Sequence, residues 1–357
     1  MNMNKVCFFN LSTYSSTGGI ERYNQFFLKA LNELNIKTTA LSVYDSENKD
    51  QYPNIKFKNF ATNKISASIY LLKNIYKVEK LIVAHINLLP IVIISKIINP
   101  KLSVYISIYG IEVWVKFSYF YRFFLKKIKF LSISSYTTNV FSKLNNLKQS
   151  DVYYLPPGIN LNLINNLGNF YNDQEFNILS VARLHKTYSY KSIDNKGIDG
   201  IIRSLPMLIN DIPNIKYTII GDGNDKRRLV RLSQSLGVEK HVDFKGFVEN
   251  TEPYYKYCDV FVLPSKGEGF GIAYLEAMKY KKPCIASDKG GQTDVVIDNK
   301  TGFLCEYDDI QCLSSKTVKL FKDKKLVNKF GGNGYEHLVN NFTFERFKNR
   351  LSSILNN

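Results

Sequence analysis

The sequence predicts an α/β protein built from two doubly wound, Rossmann-like domains. Three observations carry this. Short β-branched runs alternate with longer segments of helical periodicity, the rhythm of βαβ units. The alternation breaks at Pro156-Pro157-Gly158 and an Asn-rich stretch, then restarts. A chain of 357 residues also exceeds the length at which single hydrophobic cores split.

In chain order, Lys5–Asn10 reads as a strand, Ile20–Leu34 as a helix and Lys37–Tyr44 as a strand. Lys64–Val78 follows as a helix, then Leu81–Asn87, Leu102–Ile108 and Phe130–Ser134 as strands, and Val152–Leu155 precedes the break. The run Leu81-Ile82-Val83-Ala84 is apolar throughout, as a strand covered on both faces must be. Asn160–Asp173 is the expected hinge. Beyond it Phe176–Val181, Ile215–Ile220, Val242–Phe244, Val260–Leu263 and Cys284–Ala286 read as strands. Ile198–Ile209, Lys226–Leu236 and Gly271–Tyr280 are the helices between them. Right-handed crossovers make both sheets parallel, and ligands of such sheets bind at the carboxyl ends of the strands. Two facing domains are therefore expected to form a cleft lined by those loops.

The formal charge is +17, from 48 basic and 31 acidic residues, yet only nine of the basic residues are Arg. Diffuse Lys argues against base-specific nucleic-acid recognition, which favours the planar, bidentate guanidinium, so no nucleic-acid partner is expected. Up to residue 170 there are 20 basic and eight acidic residues, so most of the excess is N-terminal. That suits an anionic lipid surface, where each basic residue gains roughly 1 kcal/mol, or an anionic acceptor. A solvated Lys-rich surface is the competing account. Cys7, Cys258, Cys284, Cys305 and Cys312 show no Cys-x-x-Cys spacing, which fits reduced thiols and predicts no disulfide. The N-terminus is too weakly apolar for a signal peptide, and Leu88–Ile98 is too short to span a bilayer. A cytoplasmic protein, peripheral on the inner face of the plasma membrane, is the expectation.

The chemistry concentrates after Val260–Leu263, where the chain reads Pro-Ser-Lys-Gly-Glu268-Gly269-Phe270-Gly271-Ile-Ala-Tyr-Leu-Glu276. Glycines let the backbone approach a ligand and start a helix near Gly271, whose amides and positive dipole end suit a phosphate. A carboxylate at Glu276 suits ribose or sugar hydroxyls. The structural alternative makes Glu268 a turn cap and pairs Glu276 with Lys279 on the helix surface.

This segment resembles the Glu-x7-Glu signature of the retaining glycosyltransferases of family 4, and the similarity extends over most of the chain. The resemblance implies a GT-B fold, with an N-terminal acceptor-binding domain over residues 1–165, a nucleotide-sugar domain over 166–340, and a C-terminal helix, 341–357, returning to the first domain. It implies that Glu268 contacts the donor sugar and Glu276 the nucleotide ribose. Arg183, in Val-Ala-Arg183-Leu, and Lys196, in Lys196-Gly-Ile-Asp, resemble the family's diphosphate-gripping cations. Lys191 is a second, imperfect match to the Lys pattern, and Lys196 is preferred because Gly197 supplies a tight helix start. Gly269, Phe270 and Gly271 join the donor-binding set. So does Gly19, in a Gly18-Gly19 loop that resembles the family's approach to the donor from the other side. Gly221-Asp222-Gly223 resembles the family's strand-to-turn segment, Gly290-Gly291 the next loop over, and Thr301-Gly302-Phe303-Leu304 the hairpin-like turn after it.

On the acceptor side, His85 ends a strand and resembles a family position near the acceptor. Tyr109 stands where the family usually has a histidine, followed by Gly110 and Glu112. A phenol donates a hydrogen bond but does not titrate near neutral pH. The four histidines are dispersed and no Asp-x-Asp occurs, so neither a metal nor a cofactor is expected. The expected function is metal-independent transfer of a hexosyl group from a nucleoside diphosphate sugar to a glycan or lipid-linked acceptor, in synthesis of a bacterial-type capsule, O-antigen or lipopolysaccharide. The alternatives are a membrane- or RNA-binding module without transferase activity and a nucleotide-sugar epimerase. Phe117 to Lys129 mixes aromatics with four basic residues and reads either as a membrane-interface helix or as a sheet-packing helix with a basic outer face.

Overall fold

A computed structural model of the chain describes residues 3–15, 18–47, 52–162, 174–185 and 196–356. Backbone contacts divide it into two units, Met1–Gly158 with Phe344–Asn357, and Ile159–Thr343. The first unit runs β1 (Val6–Asn10), α1 (Gly19–Glu33), β2 (Thr38–Ser42), β3 (Ile55–Asn59), α2 (Lys64–Asn74), β4 (Lys80–Val83) and α3 (Leu89–Ile98). It continues through β5 (Ser103–Ile108), α4 (Tyr119–Leu125), β6 (Lys129–Ser132), α5 (Ser135–Asn145) and β7 (Val152–Tyr154). All seven strands are parallel, in the order β3-β2-β1-β4-β5-β6-β7. Leu81, Ile82 and Val83 on β4 are fully buried, as the unbroken apolar run requires.

The second unit runs β8 (Phe176–Val181), α6 (Ile198–Asp211), β9 (Ile215–Ile220), α7 (Lys226–Ser235), β10 (Val242–Gly246), α8 (Glu252–Tyr257) and β11 (Val260–Leu263). Then come α9 (Ile272–Lys279), β12 (Cys284–Ser287), β13 (Gly302–Cys305), α10 (Ile310–Lys322) and α11 (Lys324–Asn341). Its six strands are parallel in the order β10-β9-β8-β11-β12-β13. The order reverses between β1 and β4 in the first sheet and between β8 and β11 in the second. Each reversal sends the following helices to opposite sides and leaves the strand ends accessible to a ligand. The architecture is the predicted one, two doubly wound domains in the GT-B pattern.

The final helix, α12 (Phe344–Asn356), belongs to the first unit. Its inward face is hydrophobic at the helical spacing Phe347, Leu351, Ile354. The Phe347 ring, fully buried, meets Tyr23 and Phe27 of α1 edge-on at 5.5 and 5.8 Å. Lys348 pairs with Glu33 at 2.8 Å, and Lys80 donates to the Leu355 carbonyl.

Several local expectations are corrected. Ile55–Asn59 is absent from the expected strands, although Ile55-Lys56-Phe57-Lys58 has the alternation of a half-exposed strand. It is β3, a parallel edge strand paired with β2 in register Thr38↔Ile55. Thr301–Leu304, read as a hairpin-like turn, holds most of β13, parallel to β12. Gly302 permits that pairing, since a Cβ there would lie 2.0 Å from the Cys284 carbonyl oxygen. The aromatic-basic helix is confined to Tyr119–Leu125. The prediction of no disulfide fails: Cys305 and Cys312 are bonded. Cys305 ends β13, and the Asp309 carboxylate caps α10 by accepting the Cys312 N–H at 2.9 Å, which folds the chain back and brings the two Cα atoms to 5.8 Å. Cys7, Cys258 and Cys284 are buried thiols, and burial raises the pKa of each.

Two outcomes follow. Truncating Phe347 to Ala removes a buried aromatic from the α1–α12 contact and is expected to cost about 3–5 kcal/mol in denaturant unfolding. Alkylation of the unfolded, unreduced chain should modify three of its five cysteines, and all five after reduction.

Candidate active site

At the reversal in the second sheet, the loops after β8 and β11 come together through glycines. Gly197 precedes α6 with φ +72°, and a Cβ on it would lie 2.3 Å from the Pro264 carbonyl oxygen just beyond β11. An L side chain there would be both strained and obstructed. Gly271 begins α9 with φ +98° against the Tyr274 ring. By contrast α2, α5, α10 and α11 carry Asn63, Ser134, Asp309 and Asp323 as side-chain caps. At α6 and α9 the capping residue has no side chain to offer, and each helix presents its positive end at the sheet's carboxyl edge.

Lys196, immediately before Gly197, reaches Glu268 in the loop after β11. Nζ donates to Oε2 at 3.0 Å, and both side chains are about four-fifths buried. The sequence separation is 72 residues, so the pair exists because of the fold. The Glu268 carbonyl accepts the Gly291 N–H at 2.7 Å, and a Cβ on Gly291 would lie 1.8 Å from the Gly269 carbonyl oxygen. The Gly290-Gly291 loop is in turn held by Gln292, whose amide donates to the Ser287 and Lys289 carbonyls at 3.2 and 2.7 Å. Glu268 is thus fixed from both sides.

Glu276 does not make the surface pair with Lys279 that the structural alternative required. Lys279 is buried and donates to Glu252 at 2.6 Å, whereas Glu276 Oε2 accepts from the Tyr255 hydroxyl at 2.8 Å. Tyr255, on α8 and 1% exposed, aims that carboxylate. Neither its position nor its role was legible, since it sits in the run Tyr254-Tyr255-Lys256-Tyr257 with nothing local to single it out.

Arg183 is exposed two residues beyond β8. Around it the Gly-Asp-Gly turn packs backbone on backbone. Cβ atoms on Gly221 and Gly223 would fall 1.8 and 2.2 Å from the Ala182 and Leu184 carbonyl oxygens. Phe270 is 2% exposed with its ring edge-on to Phe342 at 5.4 Å, so only its main chain is available to a ligand. Lys191 lies outside the described residues.

At the reversal in the first sheet, Gly18 and Gly19 follow β1, and His85 follows β4. A Cβ on Gly19 would meet nothing within 4 Å, so packing does not demand glycine there. The loop leading to it is held by Asp45, which sequence reasoning passed over because it lies some 30 residues away. Its buried carboxylate accepts N–H groups from Thr13, Tyr14 and Ser15 at 2.8 to 3.0 Å and the Ser42 hydroxyl at 2.8 Å. Three converging amides compensate an anion that would otherwise be costly to bury.

His85 Nδ1 accepts the Asn87 N–H at 3.1 Å, and burial lowers its pKa below the ordinary value, with Glu21 opposing and Lys64 reinforcing the shift. It is neutral at pH 7, with the proton assigned to Nε2 by that hydrogen bond. Tyr109 has a structural commitment. Its hydroxyl donates to the Ala84 carbonyl at 2.8 Å, its ring stands edge-on to Tyr23 at 5.5 Å, and burial raises its pKa. Glu112 Oε1 accepts the N–H groups of Tyr109 and Gly110 at 2.5 and 3.1 Å, holding a turn in which Gly110 has φ +147°. Burial raises its pKa too, against those hydrogen bonds. Of the three residues expected on this side, His85 alone is not committed to fixing the Ala84–Gly110 packing.

Residues 171–337, nearly all of the second unit, match the model of the family described as glycosyl transferases group 1. Over 172 residues the chain is 30% identical to a GDP-mannose-dependent α-(1-6)-phosphatidylinositol monomannoside mannosyltransferase of Mycolicibacterium smegmatis, covering 46% of this chain and 45% of that protein. An uncharacterized glycosyltransferase of Methanocaldococcus jannaschii is 26% identical over 341 residues, 90% of each chain. The chain spans under half the length of several curated relatives it matches. Among solved structures, Anabaena HepE in complex with UDP superposes with a TM-score of 0.80 over 99% of each chain at 16% identity, a likeness of fold.

The glycine geometry separates two substitutions. Gly291→Ala should displace the Glu268–Phe270 loop and lower stability by about 1–3 kcal/mol. Gly19→Ala, with open space at Cβ, should leave the melting temperature unchanged.

Proposed function

We propose that the protein is a retaining glycosyltransferase that moves a sugar from a nucleoside diphosphate sugar to a hydroxyl of a glycan or lipid-linked acceptor, in the synthesis of a bacterial-type surface polysaccharide. The observation that carries this reading is the Lys196–Glu268 pair, set at the reversal point beside the glycine-started helices α6 and α9. A pair so placed has two anionic claimants for one ammonium group. A donor diphosphate arriving at the helix ends competes with Glu268 for Lys196. Its binding would release the Glu268 carboxylate to accept hydrogen bonds from the sugar hydroxyls, so donor recognition and carboxylate placement become one event.

In this reading Lys196, Arg183 and the first-turn amides of the helices stabilise the charge that develops on the departing diphosphate. The bond from the anomeric carbon to the diphosphate oxygen breaks, and the acceptor oxygen bonds to that carbon on the same face. The acceptor proton passes to the leaving phosphate, and the products are a glycoside and a nucleoside diphosphate. Glu276, aimed by Tyr255, takes the ribose hydroxyls. Neutral His85 and the Gly18-Gly19 loop are assigned to the acceptor side and the donor's far side. No metal or cofactor is needed in this scheme.

A panel of nucleoside diphosphates and their sugars, screened by thermal shift, tests the reading. A ligand at 100 times its dissociation constant adds about 2.7 kcal/mol of stability, and a melting curve that no member moves would sink the proposal. With the responding donor, Glu276→Ala should abolish the shift. Lys196→Met should lower turnover by about 10²–10³ while the protein stays folded, the scale for removing one donor to a developing anion.

A further inference from the structure

Helix α4 packs Leu125 and, in part, Tyr121 and Phe124 against the core, and turns its other rings outward. Leu125 is fully buried, but Tyr119, Phe120 and Phe123 are 86%, 63% and 58% exposed. Phe120 and Phe123 form a cluster with the half-buried Phe124, whose centroid lies 5.2 Å from Phe120 and 5.3 Å from Phe123. Exposed Val115 precedes the helix. Isolated apolar side chains on a surface need no account, whereas three large rings on one short helix do.

The charges around the rings are of one sign. Between Glu112 and Asp151 the chain holds seven basic residues and no acidic one. Two of these sit on the exposed rings themselves: the Arg122 guanidinium lies 4.3 Å from the Tyr119 centroid, and Lys127 Nζ 4.5 Å from that of Phe123. Lys126 is exposed beside them. Lys96, at the end of α3, is close enough to Lys127 that the second charge adds to burial in lowering its pKa. Rings capped by cations, in a segment with no carboxylate, match a surface that offers an apolar layer beneath a layer of negative charge.

We infer that the Tyr119–Phe123 face of α4 docks on an anionic lipid bilayer, with the three rings seated among the headgroups and Arg122, Lys126 and Lys127 against lipid phosphates. This does not depend on the transferase reading. Sequence alone left two accounts of this segment, and both have a share in it: Phe117, Tyr121 and Phe124 pack on the core, while Tyr119, Phe120 and Phe123 form an outer face that is aromatic as well as basic. Among the described residues no helix is long and apolar enough to cross a membrane.

Co-sedimentation of the full chain with vesicles tests it. Binding is expected on vesicles of phosphatidylglycerol in phosphatidylcholine and not on phosphatidylcholine alone, and it should fall as salt is raised. The triple variant Tyr119→Ser, Phe120→Ser, Phe123→Ser should lose about tenfold or more in vesicle affinity, because the rings supply the apolar part of the contact. Its melting temperature should not fall, since all three side chains are exposed. Lys126→Glu with Lys127→Glu should abolish binding. Three results would overturn the proposal: no binding by the parent, equal binding by the triple variant, which would leave only diffuse attraction between polyions, or a parent that dimerises through these rings and ignores vesicles.

Discussion

The second unit depends on close approach of backbone to backbone at the carboxyl ends of its central strands. Four glycines make it possible. Gly197 against Pro264, Gly221 against Ala182, Gly223 against Leu184 and Gly291 against Gly269 each leave less than 2.5 Å between a hypothetical Cβ and a carbonyl oxygen. Any L side chain at these points would push apart the loops that carry Lys196, Arg183 and Glu268. The chemistry is therefore set by absent side chains as much as by present ones. The Lys196–Glu268 pair, 72 residues apart in sequence, is a consequence of that approach.

Electrostatics then gives the packing a direction. A largely buried carboxylate and ammonium in contact offset part of each other's desolvation. In the proposed function the same contact is the one a stronger anion, such as a diphosphate beside two helix N-termini, would displace. Tyr255 acts on Glu276 in the complementary way, offering a neutral donor that orients the carboxylate without cancelling its charge. Within one unit, one glutamate is held by an exchangeable cation and the other by a fixed phenol. That difference suits a group that must move its hydrogen bonds and a group that must keep them.

Much of this was legible in the sequence because it is local. Strand-helix alternation, the glycines that start α6 and α9, and the eight-residue step from Glu268 to Glu276 all follow from short-range pattern. What escaped was long-range or patternless. Asp45 holds a loop 30 residues upstream, and Tyr255 is one of three tyrosines in four positions. Edge strand β3 is the exception: its Ile55-Lys56-Phe57-Lys58 alternation has the period of a half-exposed strand and was legible. The Cys305–Cys312 bond arises because a strand end and a helix cap fold six intervening residues back on themselves, which spacing alone does not announce. Tyr109 was legible as a departure from a family pattern, but its meaning was not: the phenol replaces a titratable group with a buried strut to the Ala84 carbonyl.

That strut bears on how the first unit can work. In the proposed transfer, a neutral, buried group after β5 does not serve as the proton acceptor. His85, held neutral by burial and with Nδ1 already accepting from Asn87, presents an N–H at Nε2 and thus a donor. A donor positions a hydroxyl through its lone pairs but does not deprotonate it. The proposed scheme accordingly sends the proton to the departing diphosphate. Within the proposed function, the first unit's part is to hold an acceptor, and the bond-breaking chemistry falls to Lys196, Arg183 and Glu268 of the second unit.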